Sequence, residues 1–232
     1  MIEQTPTPLR RTPRCGQRRT PRCGQRRTPR CGQRWAAVAA GLALVGALAG
    51  CTTSGATDDD LYDAARQTNL LFKSAVGTVQ LHLYDGDWQV QEYGDAPVDC
   101  GSGYSFIMGR TTPEGWTLDA DAMSTAHHLA RWLTARGWTT TDAEASGDGI
   151  VVVEASSPAF AIASLVVEVR DGEAAADAIG VHAETACQDG DADALTAILF
   201  PGSPDAAHDA LPVAEPAGAV PVFGFTADGR PR

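Results

Sequence analysis

Ile150–Arg170 reads IVVVEASSPAFAIASLVVEVR, two runs dominated by Val, Ile and Leu with short polar punctuation. Branched side chains pack well on a pleated surface, so Ile150 to Ala155 and Phe160 to Arg170 are expected as neighbouring strands. Upstream, Ser146-Gly147-Asp148-Gly149 supplies Gly and Asp for a tight hairpin turn from a strand at Trp138 to Glu144, and downstream Ile179 to Cys187 repeats the β pattern. Turns of this chemistry join antiparallel strands. Trp138 to Cys187 is therefore read as antiparallel β structure.

Working back from there, Met123, Ala126, Leu129, Ala130, Trp132 and Leu133 recur at helical spacing, with Asp119 or Asp121 available to cap the start and Gly137 to end it. Tyr104 to Arg110 and Trp88 to Tyr93 are two further strands. Leu61, Ala65, Phe72, Val76, Val79 and Leu83 mark a helix from Asp58 to Tyr84, its start suited to the Asp58-Asp59-Asp60 run because a helix N-terminus favours negative charge. A short helix is expected near Ala192 to Leu199. The order helix, strand, strand, helix, four strands implies an α+β two-layer sandwich: one mainly antiparallel sheet of about five or six strands, with two long helices packed on one face.

Beyond this domain the chain is organised by Trp35 to Cys51, WAAVAAGLALVGALAGC. The uncharged run from Trp35 to Gly50 has 16 residues, short of the ~20 that span a bilayer but suited to the apolar region of a signal peptide. Leu48-Ala49-Gly50-Cys51 resembles a bacterial lipobox, in which the cysteine is acylated and becomes the mature N-terminus. Before it, residues 10 to 33 repeat RRTPRCGQ three times, a period too short for a solenoid unit, and the arginines there keep that side cytoplasmic. The expected organisation is 1–50 arginine-rich arm and cleaved signal peptide, 51–57 lipidated tether, 58–200 globular domain, and 201–232 a Pro/Ala-rich tail, mostly flexible, in which Val220 to Phe225 has the composition to dock.

Removing residues 1–50 takes away ten arginines and Glu3, leaving 8 Lys+Arg against 28 Asp+Glu, a net charge of −20. A surface of that sign repels nucleic acid and disfavours phosphate ligands. Lys73 is the only lysine and Asn69 the only asparagine, which reads as codon bias in a GC-rich genome. Of six cysteines, Cys15, Cys23 and Cys31 fall in the arm and Cys51 is the lipidation site. Cys100 and Cys187 remain as an expected disulfide in an exported chain, the alternative being two buried thiols.

The strand Trp88 to Tyr93, Cys100 after a loop, Phe106-Ile107-Met108-Gly109-Arg110 leading into Thr111-Thr112-Pro113-Glu114-Gly115-Trp116, the helix end Ala135-Arg136-Gly137 with Thr139-Thr140, and the closing Cys187 together resemble the mycobacterial LppA-like lipoproteins of actinobacteria. The likeness runs from Asp58 to Gln188 and includes the lipobox. It implies an anchored envelope protein and supplies no mechanism, because that family's biochemical activity is itself unknown.

Reactive motifs are sparse. There is no Gly-x-Ser-x-Gly elbow, phosphate loop, His-Glu-x-x-His pair or Ser-x-x-Lys. Gly101-Ser102-Gly103 is read as a turn. His127 and His128 are adjacent on a helix, so they point about 100° apart and do not share a ligand. Asp189, Asp191 and Asp193 have the spacing of the first calcium-loop ligands, but Ala194 and Phe200 stand where that loop needs Gly and Glu. No cofactor is implied. The expectation is an extracytoplasmic, lipid-anchored binding or accessory module for a partner protein, cell-wall component or lipid. A small hydrolase would instead need two of His82, His128 and His182 in one pocket with carboxylates, and a hydrophobe carrier would need a large apolar cavity.

Overall fold

A computed structural model of the chain describes residues 57–147, 149–172, 176–201 and 213–224. The segment read as a signal peptide, with Leu48, Ala49, Gly50 and Cys51, lies outside the described residues, as does Asp148 of the predicted hairpin turn.

Helix α1 (Asp58–Leu83) starts where three aspartates were expected to stabilise it, and Thr57 adds a capping box. The Thr57 hydroxyl accepts from the Asp60 N–H while the Asp60 carboxylate accepts from the Thr57 N–H, so two otherwise unpaired donors are satisfied reciprocally. Those bonds hold the Asp60 carboxyl below its ordinary value. Strands β1 (Asp87–Glu92), β2 (Pro97–Asp99) and β3 (Gly103–Thr111) follow. Helix α2 (Ala122–Thr134) is capped by Asp121, which accepts from the Ser124 N–H. Then come β4 (Thr139–Thr140), β5 (Glu144–Gly147), β6 (Ile150–Ser157), a 3-10 turn (Pro158–Phe160), β7 (Ile162–Arg170), β8 (Ala178–Thr185), β9 (Gln188–Asp189), α3 (Ala192–Leu199) and β10 (Ala214–Pro216).

These elements make an α+β fold with one antiparallel sheet in the order β10-β1-β3-β8-β7-β6-β4, with β2 and β9 paired to β3 and β5 paired to β6. The expected five or six strands are corrected to ten among the described residues, and the two long helices are joined by a third, α3, at the place of the short helix expected near Ala192 to Leu199. The additional strands are two to four residues long. Such segments show no readable alternation and exist because a longer neighbour offers free backbone groups, β3 for β2 and β9, β6 for β4 and β5. The strand expected at Trp138 to Glu144 is broken at residues 141–143, and Trp138 turns into the core.

Period two decides which residues are inside. Val151, Val153 and Ala155 of β6 lie opposite Val169, Val167 and Leu165 of β7, which lie opposite Ile179, Val181 and Ala183 of β8, and all nine are buried. Tyr104, Phe106 and Met108 of β3 extend the same face. Phe72, Val76 and Val79 of α1 and Ala126, Leu129 and Leu133 of α2 close over it. The opposite face carries exposed Glu154, Glu168 and His182. Trp88 is fully buried and donates its indole N–H to the Tyr84 carbonyl, so its one polar group is satisfied.

Cys100 and Cys187 form a disulfide across 87 residues of sequence, with Cα atoms 5.9 Å apart. It joins the loop before β3 to the end of β8. Of the segment read as tail, residues 214–216 form an edge strand on β1. Phe223 is buried against Tyr62 and Phe106, whereas Val220 is exposed.

Candidate functional site

Two groupings of polar and aromatic side chains stand out against this frame, and they have different chemistry. The first is buried. Asn69 and Lys73 lie one turn apart on the inner face of α1, 0 % and 5 % exposed. Asn69 Nδ2 donates to the Gly94 carbonyl, and Lys73 Nζ donates to Asp95 Oδ1 at 2.5 Å and to the Val222 carbonyl at 3.0 Å. Lys73 Nζ also lies 4.3 Å from the centre of the Tyr93 ring, a favourable cation–π placement. Beside it, Arg110 donates to the Glu92 and Gly109 carbonyls and to Glu215 Oε2 at 2.8 Å.

Gly94 is required in this group. Its φ of +96° is left-handed, and a Cβ there would stand 3.2 Å from Lys73 Cε. Two cations face two carboxylates, so the charges cancel, and every charged group has a partner. Burial lowers the Lys73 pKa and raises that of Asp95, each effect opposed by the other member of the pair. Burial also raises the Tyr93 phenol. An ammonium clamped between a carboxylate and a carbonyl is not a free nucleophile. What the group does is tie three pieces of chain together: α1, the end of β1, and the segment 213–224.

The second grouping lies on the surface, along the seam between α1 and α2. His82 of α1 stacks flat on Trp132 of α2, with ring centres 4.1 Å apart and planes 7° from parallel. The Arg136 guanidinium lies 3.9 Å from the centre of the same indole, and the His128 ring meets His82 edge-on at 5.4 Å. This bridge divides the seam into two clefts. One, of about 280 Å³, is walled by Leu71, Ala75, Val79, Trp132, Trp138 and Phe160, with Ser74, Thr78 and Arg136 at its edges. The other, of about 240 Å³, is lined by His82, His128, Asp119, Ser124, Trp116 and Leu118 among others.

The histidines were the sequence candidates for chemistry, and the structure sorts them. His82 and His128 meet. His127 is exposed on the next position of the helix, in line with the 100° rule. His182 lies on the opposite sheet face, beside Glu168 and Gln91. Burial depresses the His82 pKa, helped by its neighbours His128 and Arg136. An NMR titration of the His82 ring is expected to give a midpoint below 6.5. Because the folded-state value is the lower one, the associated stability is complete above the unfolded value and is lost as pH falls through the depressed midpoint. A midpoint above 6.5 would contradict this environment.

Among the described residues, no hydrogen bond links His82 or His128 to a hydroxyl or carboxylate. The Ser124 hydroxyl donates instead to Asp121 Oδ2 at 2.7 Å as part of the helix cap. A nucleophile activated by a base, with the base oriented by a third group, is therefore not assembled here. Ser102 lies in the turn before β3, 3.3 Å from the Cys187 sulfur. Asp189, Asp191 and Asp193 are not gathered either. Asp189 pairs in β9, and Asp191 Oδ1 caps α3 by accepting from the Asp193 and Ala194 N–H groups. No group of three or more His, Cys, Asp or Glu among the described residues is placed to hold a metal ion. Nor is any described helix long and apolar enough to cross a membrane.

The residues missed by sequence reading are Asn69, Lys73 and Arg110. A signal was present: the only asparagine and the only lysine stand four apart in a chain whose composition otherwise excludes both. In comparisons with known protein families, curated proteins and solved structures, nothing matches the chain.

Proposed function

We propose that this is a lipid-anchored envelope protein of the LppA-like kind, held at the outer face of the cytoplasmic membrane through Cys51, and that its domain is a non-catalytic binding module. The site in this reading is the α1–α2 seam. One observation carries it: an aromatic, partly open groove whose histidines lack the hydrogen-bonded partners that acid–base chemistry requires. Concave apolar sites with a few polar groups at the rim are what binding sites look like in general. The Cys100–Cys187 bond supports export, since such bonds persist in oxidising compartments. The carrier reading loses support, because Trp88, Phe72, Phe106 and Leu165 fill the space between helices and sheet.

A hydrolase remains the second reading, favoured by the joint lining of one cleft by His82, His128, Asp119 and Ser124. Chromogenic ester, amide and glycoside substrates offered to the full chain separate the two. No turnover is expected. Turnover abolished by His128→Ala, with the fold intact by circular dichroism, would install the hydrolase in its place. The anchor is tested independently: a Cys51→Ser chain is expected to lose metabolic acyl label and to leave the membrane fraction, since two acyl chains give stable attachment. Unchanged labelling would remove the anchor from the account.

A further inference from the structure

Charge is distributed very unevenly over this domain. Residues 64–84 and 122–141, which hold most of α1 and all of α2, contain no Asp or Glu, although residues 51–232 carry 28 of them. Within those two spans the chain keeps Arg66, Lys73, Arg131 and Arg136, half of the 8 Lys+Arg that follow residue 50. Three of these four are at the surface, Lys73 being buried in the pair with Asp95.

The outward residues of α1 make a second anomaly. Gln67, Leu71, Ser74, Thr78 and Leu81 are exposed at helical spacing and none is charged. Leu71 and Leu81 are 42 % and 51 % exposed. The outer face of a surface helix ordinarily carries charge. Next to this stripe α2 presents His127, His128 and Arg131, with Arg136 just past its end and Trp132 between the helices. An uncharged stripe with two exposed leucines, a cationic neighbour and an indole between them is a composition suited to lying on a membrane surface, where arginine reaches phosphate and tryptophan the headgroup boundary.

We infer that the α1–α2 face rests on an anionic phospholipid surface, α2 meeting the phosphates and the α1 stripe the acyl boundary. The inference deepens the binding role proposed above and rests on it, naming the lipid surface as the partner of the seam. Charge complementarity selects this occupant. A chain whose residues 51–232 carry a net charge of −20 is repelled by an anionic bilayer least in the orientation that presents its acid-poor side, where residues 64–84 and 122–141 hold no carboxylate.

The test uses the full chain reconstituted in vesicles of phosphatidylcholine alone or mixed with phosphatidylglycerol, with brominated acyl chains as a quencher of tryptophan fluorescence. The difference between the native chain and Trp132→Phe isolates Trp132 from the other tryptophans. Trp132 is expected to be quenched strongly in the phosphatidylglycerol vesicles and weakly in phosphatidylcholine, with the difference lost in high salt, where charges are screened. Arg131→Glu with Arg136→Glu is expected to abolish the difference, each lost positive charge reducing surface partition roughly fivefold. Thr78→Glu, on the exposed stripe of the other helix, is expected to act in the same direction. Both variants alter surface residues, and near-ultraviolet circular dichroism verifies their fold. Equal quenching in the two vesicle types, or none in either, overturns the inference. If a photo-crosslinker at Thr78 then captured a soluble envelope molecule, the lipid partner would be lost and the binding role would stand.

Discussion

Lys73→Met is expected to destabilise the domain by about 3–5 kcal/mol, because it leaves the Asp95 carboxylate buried without its cation. Asp95 is 1 % exposed, so water cannot take the place of the ammonium. The effect should be local in origin and wide in reach. Lys73 also holds the Val222 carbonyl, and the adjoining Arg110–Glu215 pair holds β10, so the segment 213–224 loses one of the two buried cations that hold it. Urea denaturation measures the loss, and hydrogen exchange at Ala214 and Glu215 shows whether the edge strand opens first. Pairing Lys73→Met with Asp95→Leu is expected to recover much of the loss, since removing both charges together abolishes the desolvation cost along with the attraction. A loss below about 1 kcal/mol for the single change would mean that the pair is open to solvent.

Cys100→Ser with Cys187→Ser is expected to cost about 4–5 kcal/mol, the chain-entropy value for a closed loop of this length. The bond lies toward the surface, Cys187 being exposed, so its removal leaves no cavity and the cost arises in the unfolded chain. Thermal melts of the native chain with and without reductant should reproduce the same difference. Equal stability of the two forms would show that the 87-residue loop is already constrained without the bond.

The elements legible in the sequence were those whose own residues determine them. β6, β7 and β8 carry enough Val and Ile at alternate positions to declare themselves, α1 and α2 have helical spacing with caps, and Cys100 and Cys187 were the pair left by elimination. The short strands were not legible, because Pro97–Asp99, Gln188–Asp189 and Ala214–Pro216 have no pattern of their own and acquire strand geometry from the free edges of β3 and β1. The buried polar group failed to appear for a related reason. Lys73, Asp95, Arg110 and Glu215 are spread over 143 residues of sequence, and only the fold makes them neighbours. In the seam, the 100° rule separated His127 from His128 correctly, but the stacking of His82 on Trp132 depends on how two helices 40 to 50 residues apart settle on one sheet. The rarity of lysine and asparagine was visible and was assigned to codon bias. Bias accounts for their absence elsewhere, while the two that remain are each buried with a hydrogen-bonded partner.

The claim on which the account turns is that α2 and the acid-free length of α1, residues 64–83, form the working surface of this protein. Hydrogen–deuterium exchange of the full chain in its native envelope membranes, compared with the same chain in detergent, tests it most directly. The account expects added protection in α2 and in the second half of α1, with Ile150–Ser157 and Ile162–Arg170 unchanged. Protection confined to those two strands would place the contact on the opposite sheet face, around His182 and Glu168, and would contradict it.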